Sequence, residues 1–165
     1  MDSRWADFYV AIGTAGATLT GLLFVAVALR PREIRHSPMM IGRARSAFYA
    51  FVTVLFAALL ALFGTSSRLI GVAQFAFATG VLALSVPYTV RAWRTRSINY
   101  RRAAVYHAGL TVVAVAGVAR VVQGLRSANE VVLAIGLLLL LGVALSNSWQ
   151  LVLSHEADPA SQPGD

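Results

Sequence analysis

The chain of 165 residues contains no cysteine and no lysine, and only seven of its side chains are acidic. Without cysteine, disulfides, thiol catalysis and cysteine metal sites are excluded. Charged residues make up 13% of the chain, against about 25% in soluble domains, whereas hydrophobic residues reach 58%. This composition predicts an integral membrane protein, for which lipid replaces water as the solvent around much of the surface.

The hydrophobic residues are concentrated in five long blocks that contain few charges. The blocks cover residues 8–29, 46–64, 69–90, 103–122 and 131–153. A helix of about 20 residues spans the roughly 30 Å hydrocarbon core of a bilayer, whereas a barrel strand needs only about 9–11 alternating residues. We therefore predict an all-α polytopic membrane protein, a single bundle of five transmembrane helices over residues 1–153. Residues 154–165 are predicted to form a disordered cytoplasmic tail.

The positive charge, formally +7, comes from arginine alone. Ten of the fourteen arginines lie in residues 30–45 and 91–102, which a chain with five spans puts on one side of the membrane. The positive-inside rule then predicts an inner (plasma) membrane protein with its N-terminus outside and its C-terminus in the cytoplasm. We expect anionic lipid headgroups, and not nucleic acid, to be the partner of this charge. The arginines expected to contact them are Arg91, Arg94, Arg96, Arg101 and Arg102.

The first span carries small residues at regular spacing. Gly13, Ala17 and Gly21 recur every four residues, and Thr14 and Thr18 lie beside them. In lipid, small residues allow two helix backbones to approach closely, and hydroxyls can hydrogen-bond across the contact. We therefore predict that these five residues form a helix-packing surface around which the rest of the chain is organised.

The first span also ends in a sequence, Ala26-Val27-Ala28, with the small-x-small form of a signal-peptidase site. However, the apolar run is about twice the length of a signal-peptide core, and the preceding residues carry no excess of positive charge. We expect this span to be retained as a membrane helix.

Ionisable residues inside a span would indicate transport or proton relay. All seven carboxylates lie outside the apolar blocks or at their ends, so we expect no buried carboxylate. Arg120, near the end of the fourth block, is expected to extend its side chain to the headgroups and not to bind a substrate anion. His107 is expected to be a hydrogen-bonded interfacial residue and not a metal or haem ligand.

Among the uncharged polar residues within the blocks, three are candidates for contacts between helices. Gln74, Ser85 and Asn147 are expected either to hydrogen-bond between helices or to line a polar path. The sequence contains no nucleophile and base in a known motif, no phosphate-binding loop and no metal-ligand spacing. We therefore expect no catalytic residue, no metal and no cofactor.

The wording of the first span, FYVAIGTAGATLTGLLFVAVAL, resembles the opening helix of small multi-spanning bacterial inner-membrane proteins that are uncharacterised in function. The segment NSWQLVL, at the end of the last span, is similar to their closing helix. The resemblance implies a multi-pass membrane fold, and it carries over no catalytic or binding residue.

Two functional hypotheses follow from these patterns. The first is an integral membrane protein of structural or interaction type, such as a small subunit of a membrane complex, whose partner is a second copy or another membrane protein. The alternative is a transporter or channel component. Its path would be lined by Thr14, Thr18, Gln74, Ser85 and Asn147. Under either hypothesis we do not expect the chain to be an enzyme.

Overall fold

The computed structural model describes residues 3–29, 38–63, 68–94, 100–123 and 127–153, and these parts of the chain are all-helical. The helices are α1 (Ser3–Leu29), α2 (Pro38–Leu62), α3 (Arg68–Arg94), α4 (Tyr100–Gln123) and α5 (Ser127–Leu153). Each is long and apolar enough to cross a membrane. The predicted all-α fold with five transmembrane helices is therefore confirmed. The predicted tail, residues 154–165, lies outside the described part.

The helices extend beyond the apolar blocks of the sequence. The largest extension is in α2, which begins at Pro38 and includes Arg43 and Arg45 before the block at residues 46–64. Proline fits the first turn of a helix, where its missing N–H has no partner to lose, and arginine is a good helix former. The first charged residues beside an apolar block thus indicate where the chain leaves the hydrocarbon region. They do not indicate where the helix ends.

Helices α2, α3, α4 and α5 form a ring in which each helix packs against the next and α5 packs against α2. Neighbours in the ring run antiparallel: the start of α3 meets the end of α4, and the start of α2 meets the end of α5. Helix α1 lies outside this ring, mainly against α2. One end of the bundle therefore carries the starts of α1, α3 and α5 together with the ends of α2 and α4.

The central helix is α2, which contacts α1, α3 and α5. Its buried side chains are mostly alanines, and small side chains let three neighbours approach one helix. They are Ala47, Ala50, Phe51, Thr53, Val54, Ala57, Ala58 and Ala61. The prediction that the chain is organised around the first helix is therefore wrong, because α1 occupies an outer position, packs mainly against α2 and contacts α5 much less.

Helix α1 contacts α2 through one narrow face. A Cβ atom on Gly13 would lie 3.3 Å from Cβ of Ala58, and one on Gly16 would lie 3.3 Å from a methyl group of Val54. The face continues at Tyr9 and Leu23, which are buried. Steps of three and four residues alternate along it, and this spacing keeps a straight seam between two helices.

The remaining predicted packing residues of α1 lie on other faces. Ala17, Thr18 and Gly21 are exposed, and a Cβ on Gly21 would meet nothing within 4 Å. The exposed Thr14 donates its hydroxyl hydrogen to the carbonyl of Val10 in its own helix, at 2.8 Å. A helix turns about 100° per residue, so two steps of four residues rotate Gly21 about 80° away from Gly13. Within the chain, only Gly13 of the predicted surface packs closely.

The closest approach between helices is between α3 and α4. A Cβ on Gly71 would lie 2.8 Å from the carbonyl oxygen of Gly117, and one on Gly117 would lie 2.8 Å from the backbone nitrogen of Phe75. Only glycine fits at such distances. The close packing expected of small residues in lipid thus occurs at Gly71 and Gly117, which lie outside the predicted packing surface.

Candidate functional site

Four polar side chains meet inside the bundle near the end where α1 begins. We call Tyr9, Gln74, Arg120 and Glu130 the buried polar cluster; they come from α1, α3, α4 and α5, respectively. Each lies within about two turns of the end of its helix. All four are almost fully buried.

Arg120 and Glu130 form the charged part of the cluster. Arg120 Nη2 lies 3.7 Å from Glu130 Oε1, and the two residues are 4% and 6% exposed. Because α4 and α5 are antiparallel neighbours, the end of one helix meets the start of the other. The expectation that Arg120 extends to the headgroups and the expectation that no carboxylate is buried are therefore both wrong.

Tyr9 connects the outer helix to this ion pair. Its hydroxyl donates to Glu130 Oε2 at 2.5 Å, across 121 positions of sequence. A hydrogen bond to an ionised acceptor is stronger than one between neutral groups. The carboxylate thus has a donor from α1 on one oxygen and a cation from α4 near the other.

Gln74 contributes an amide to the same region. Its Nε2 donates to the carbonyl of Val113 in α4 at 3.0 Å, which ties α3 to α4. Its Oε1 has no hydrogen-bond partner, and the same is true of both terminal nitrogens of Arg120. A small cavity lies between Gln74, Arg120 and Glu130.

Two polar pairs lie toward the opposite end of the bundle. Asn147 Nδ2 donates to Ser46 Oγ at 3.1 Å and joins α5 to α2. Ser85 Oγ lies 3.4 Å from His107 Nε2, between α3 and α4. The predicted path residues Gln74, Ser85 and Asn147 are all buried, and each is bound to a different partner.

The contact between Ser85 and His107 is the one place where a hydroxyl approaches a base among these polar pairs. The Ser85 hydroxyl, however, donates to the carbonyl of Leu82 at 2.8 Å. His107 Nδ1 donates to the carbonyl of Ala103 at 2.7 Å, which leaves Nε2 as an acceptor in the neutral ring. The Ser85 hydroxyl has one hydrogen and cannot donate it to both the Leu82 carbonyl and His107 Nε2. Ser85 and His107 are therefore poorly arranged to act as a nucleophile and its base. His107 is hydrogen-bonded, as predicted.

The described part of the chain holds no group of three or more His, Asp and Glu side chains that could bind a metal ion. Of the predicted lipid contacts, Arg101 is exposed and Arg102 is half-buried. The side chains of Arg91 and Arg94 and the whole of Arg96 lie outside the described part.

An arginine outside the predicted lipid-binding set packs against aromatic rings. The Arg45 guanidinium lies 4.1 Å from the centre of the Tyr88 ring, and its Nη2 donates to the Tyr49 hydroxyl at 2.9 Å. Such a cation over a ring is held by the negative face of the aromatic system. The contact joins α2 to α3 near the end that carries most of the arginines.

The distance of an ionisable residue from the boundary of an apolar block does not predict this ion pair, because both residues lie near the ends of their blocks. A signal was present: opposite charges ten residues apart flank the turn between two consecutive spans. In an antiparallel pair of helices such residues lie at the same depth.

Comparison with protein-family models, with curated proteins and with solved structures finds no match in any of the three. The fold itself defines the class: the chain is an all-α, multi-pass membrane protein.

Proposed function

We propose that this chain is an integral membrane protein of structural or interaction type, a small subunit that packs against a second copy or another membrane protein through α1. The supporting observation is the exposed face of that helix. Thr14, Ala17, Thr18 and Gly21 form an exposed stripe of small residues, and a Cβ on Gly21 would meet nothing within 4 Å in the described part of the chain. Small residues on a lipid-facing stripe allow close helix association.

The interior of the bundle supports the same proposal. Gln74 and Asn147 are hydrogen-bonded to other helices at separate points, Ser85 lies beside His107 of α4, and Thr14 and Thr18 are exposed on α1. Side chains arranged in this way tie helices together and do not line one continuous path. The weak pairing of Ser85 with His107 likewise favours a protein that is not an enzyme.

We propose an inner (plasma) membrane location with the N-terminus outside and the C-terminus in the cytoplasm. The distribution of arginine supports it, because ten of fourteen fall toward the ends where α1 finishes and α4 begins. These arginines would hold anionic lipid headgroups on the cytoplasmic side. Replacing Arg101 and Arg102 with glutamine should reduce the acidic phospholipid that remains bound to the purified protein.

Cysteine cross-linking in native membranes tests the α1 interface, since the chain has no cysteine of its own. Ala17→Cys and Gly21→Cys should each give a cross-linked species on oxidation, with a second copy or a partner bearing a cysteine. Leu22→Cys is the control, because Leu22 is also exposed but lies about 100° around the helix axis from Gly21 and about 140° from Ala17. Equal behaviour of the three variants would mean that lipid alone covers this helix.

A second candidate is a transporter or channel component. The observation that favours it is the buried pair of Arg120 and Glu130, because charged residues inside membrane proteins commonly mark ion and proton pathways. Purified protein in liposomes should then carry ions or protons, and Glu130→Gln should abolish the flux. Absence of flux with the parent protein would leave the structural proposal.

A further inference from the structure

The buried polar cluster has atoms whose hydrogen-bonding capacity is unmet within the described part of the chain. Gln74 Oε1 accepts no hydrogen bond, and Arg120 Nη1 and Nη2 donate none. Gln74 is 2% exposed and Arg120 is 4% exposed. Buried polar atoms are nearly always hydrogen-bonded, to protein or to ordered water, because an unpaired one has lost its bonds to water without replacement.

These atoms border one cavity. Its walls are formed by Gln74, Ala116, Arg120, Asn129, Glu130 and Leu133. The volume open to the centre of a water molecule is about 10 Å³. One water molecule needs about 10–15 Å³ measured in this way, together with two to four polar partners. The cavity therefore has room for a single small molecule.

The charges of the walls decide which molecule fits. A cation would meet the Arg120 guanidinium, and an anion would meet the Glu130 carboxylate, so a neutral ligand is favoured. It must donate to the Gln74 oxygen and accept from an Arg120 nitrogen. Water does both, and its second hydrogen is available to the Glu130 carboxylate.

We infer that this cavity binds one water molecule, which accepts a hydrogen bond from Arg120 and donates to Gln74 and Glu130. The three bonds match the number that buried waters usually make. With this water the polar contacts become continuous from α3 through α4 to α5, and the Tyr9 hydroxyl extends them to α1. Arg120 and Glu130 are 3.7 Å apart, which is too far for a direct hydrogen bond, and the water joins them by one hydrogen bond to each.

The first test is direct. A structure of the full chain in lipid, at a resolution that reveals ordered water, should contain a density peak within hydrogen-bonding distance of both Gln74 Oε1 and the Arg120 guanidinium. A cavity without density, or with Gln74 and Arg120 in direct contact, would overturn the inference.

The second test uses unfolding in mixed micelles and the variant Ala116→Val, which adds two methyl groups to the cavity wall. If water is displaced, the unfolding equilibrium constant should rise about tenfold, because Gln74 and Arg120 lose their partner. In a Gln74→Met background, where the main acceptor is already gone, the same substitution should have a clearly smaller effect. If Ala116→Val changed the unfolding equilibrium constant equally in both backgrounds, the inference would be contradicted. Stabilisation of the parent by Ala116→Val would also contradict it, because added methyl groups stabilise a cavity that holds no water.

Discussion

Gly71 and Gly117 face each other across α3 and α4 so closely that a Cβ on either would lie within 3 Å of the other residue's carbonyl oxygen. Real Cβ atoms do not approach backbone atoms to this distance. The two helices are therefore in contact along their backbones, and hydrogen atoms of glycine form the contact surface.

Gly117→Ala should lower the free energy of unfolding by about 1–3 kcal/mol, because the new methyl group forces backbone atoms of α3 and α4 apart. Gly71→Ala should act in the same way. The measurement is the midpoint of unfolding in a denaturing detergent. Gly80→Ala is the matched control on α3: a Cβ at Gly80 meets nothing within 4 Å, so the higher helix propensity of alanine should leave stability unchanged or raised. Equal midpoints for Gly117→Ala and Gly80→Ala would disprove the close contact.

Removing one partner of the buried ion pair should be costly. Glu130→Leu leaves the Arg120 guanidinium buried without a counter-charge, and such changes cost about 3–5 kcal/mol. Adding Arg120→Leu to that variant should restore part of the stability, because the remaining charge is removed as well. Comparison of the single variants with the double variant measures the coupling.

The exposed Arg101 supplies the control for the ion pair, since Arg101→Leu should change the unfolding midpoint little. Strict additivity of Arg120→Leu and Glu130→Leu would mean that the two side chains do not interact in the membrane.

Tyr9→Phe removes one hydroxyl and leaves the ring in place. It should destabilise the protein by about 1–3 kcal/mol, because the Glu130 carboxylate loses its donor from α1. Tyr100→Phe serves as the control: Tyr100 is exposed and its hydroxyl accepts from the neighbouring Arg101, so its loss should cost about a few tenths of a kcal/mol. A Tyr9 variant as stable as the Tyr100 variant would show that α1 is held by apolar contacts alone.

The orientation can be measured in intact cells with a thiol reagent that does not cross membranes. Single cysteines at Ser67 and Ser127 should be labelled, because these positions follow the ends of α2 and α4 on the proposed outer side. Cysteines at Ser37 and Ser97 should react only after the cells are opened. Labelling of the second pair in unbroken cells would reverse the proposed topology.

The number of helices could be predicted from the sequence because each span needs a long apolar block. The face of α1 that packs could not be predicted, since Gly13 belongs to two stripes of small residues. One continues to Gly16 and the other to Ala17, and only the first meets α2. The choice depends on the shape of the neighbouring helix, which the pattern within α1 does not contain.

The depth of Glu130 was misjudged for a related reason. It stands three residues after the start of α5, which indicates an interfacial position for an isolated helix. Burial comes from its neighbours, because Tyr9 of α1 and Arg120 of α4 cover it. For Gln74 the sequence leaves two alternatives, a hydrogen bond between helices and a polar path, and the structure contains the hydrogen bond to Val113 of α4.

The hydrogen bond between Tyr9 and Glu130 also sets an order of assembly during synthesis. Ribosomes add roughly 5–20 residues per second, so Tyr9 is made roughly 6–24 s before Glu130, which follows it by 121 positions. Arg120 and Glu130, by contrast, leave the ribosome almost together and can enter the bilayer as the paired turn of one helical hairpin. Helix α1 can pack against α2 as soon as that helix follows it, whereas its hydrogen bond to α5 forms later, and during that interval the exposed stripe of α1 is available to any other helix nearby.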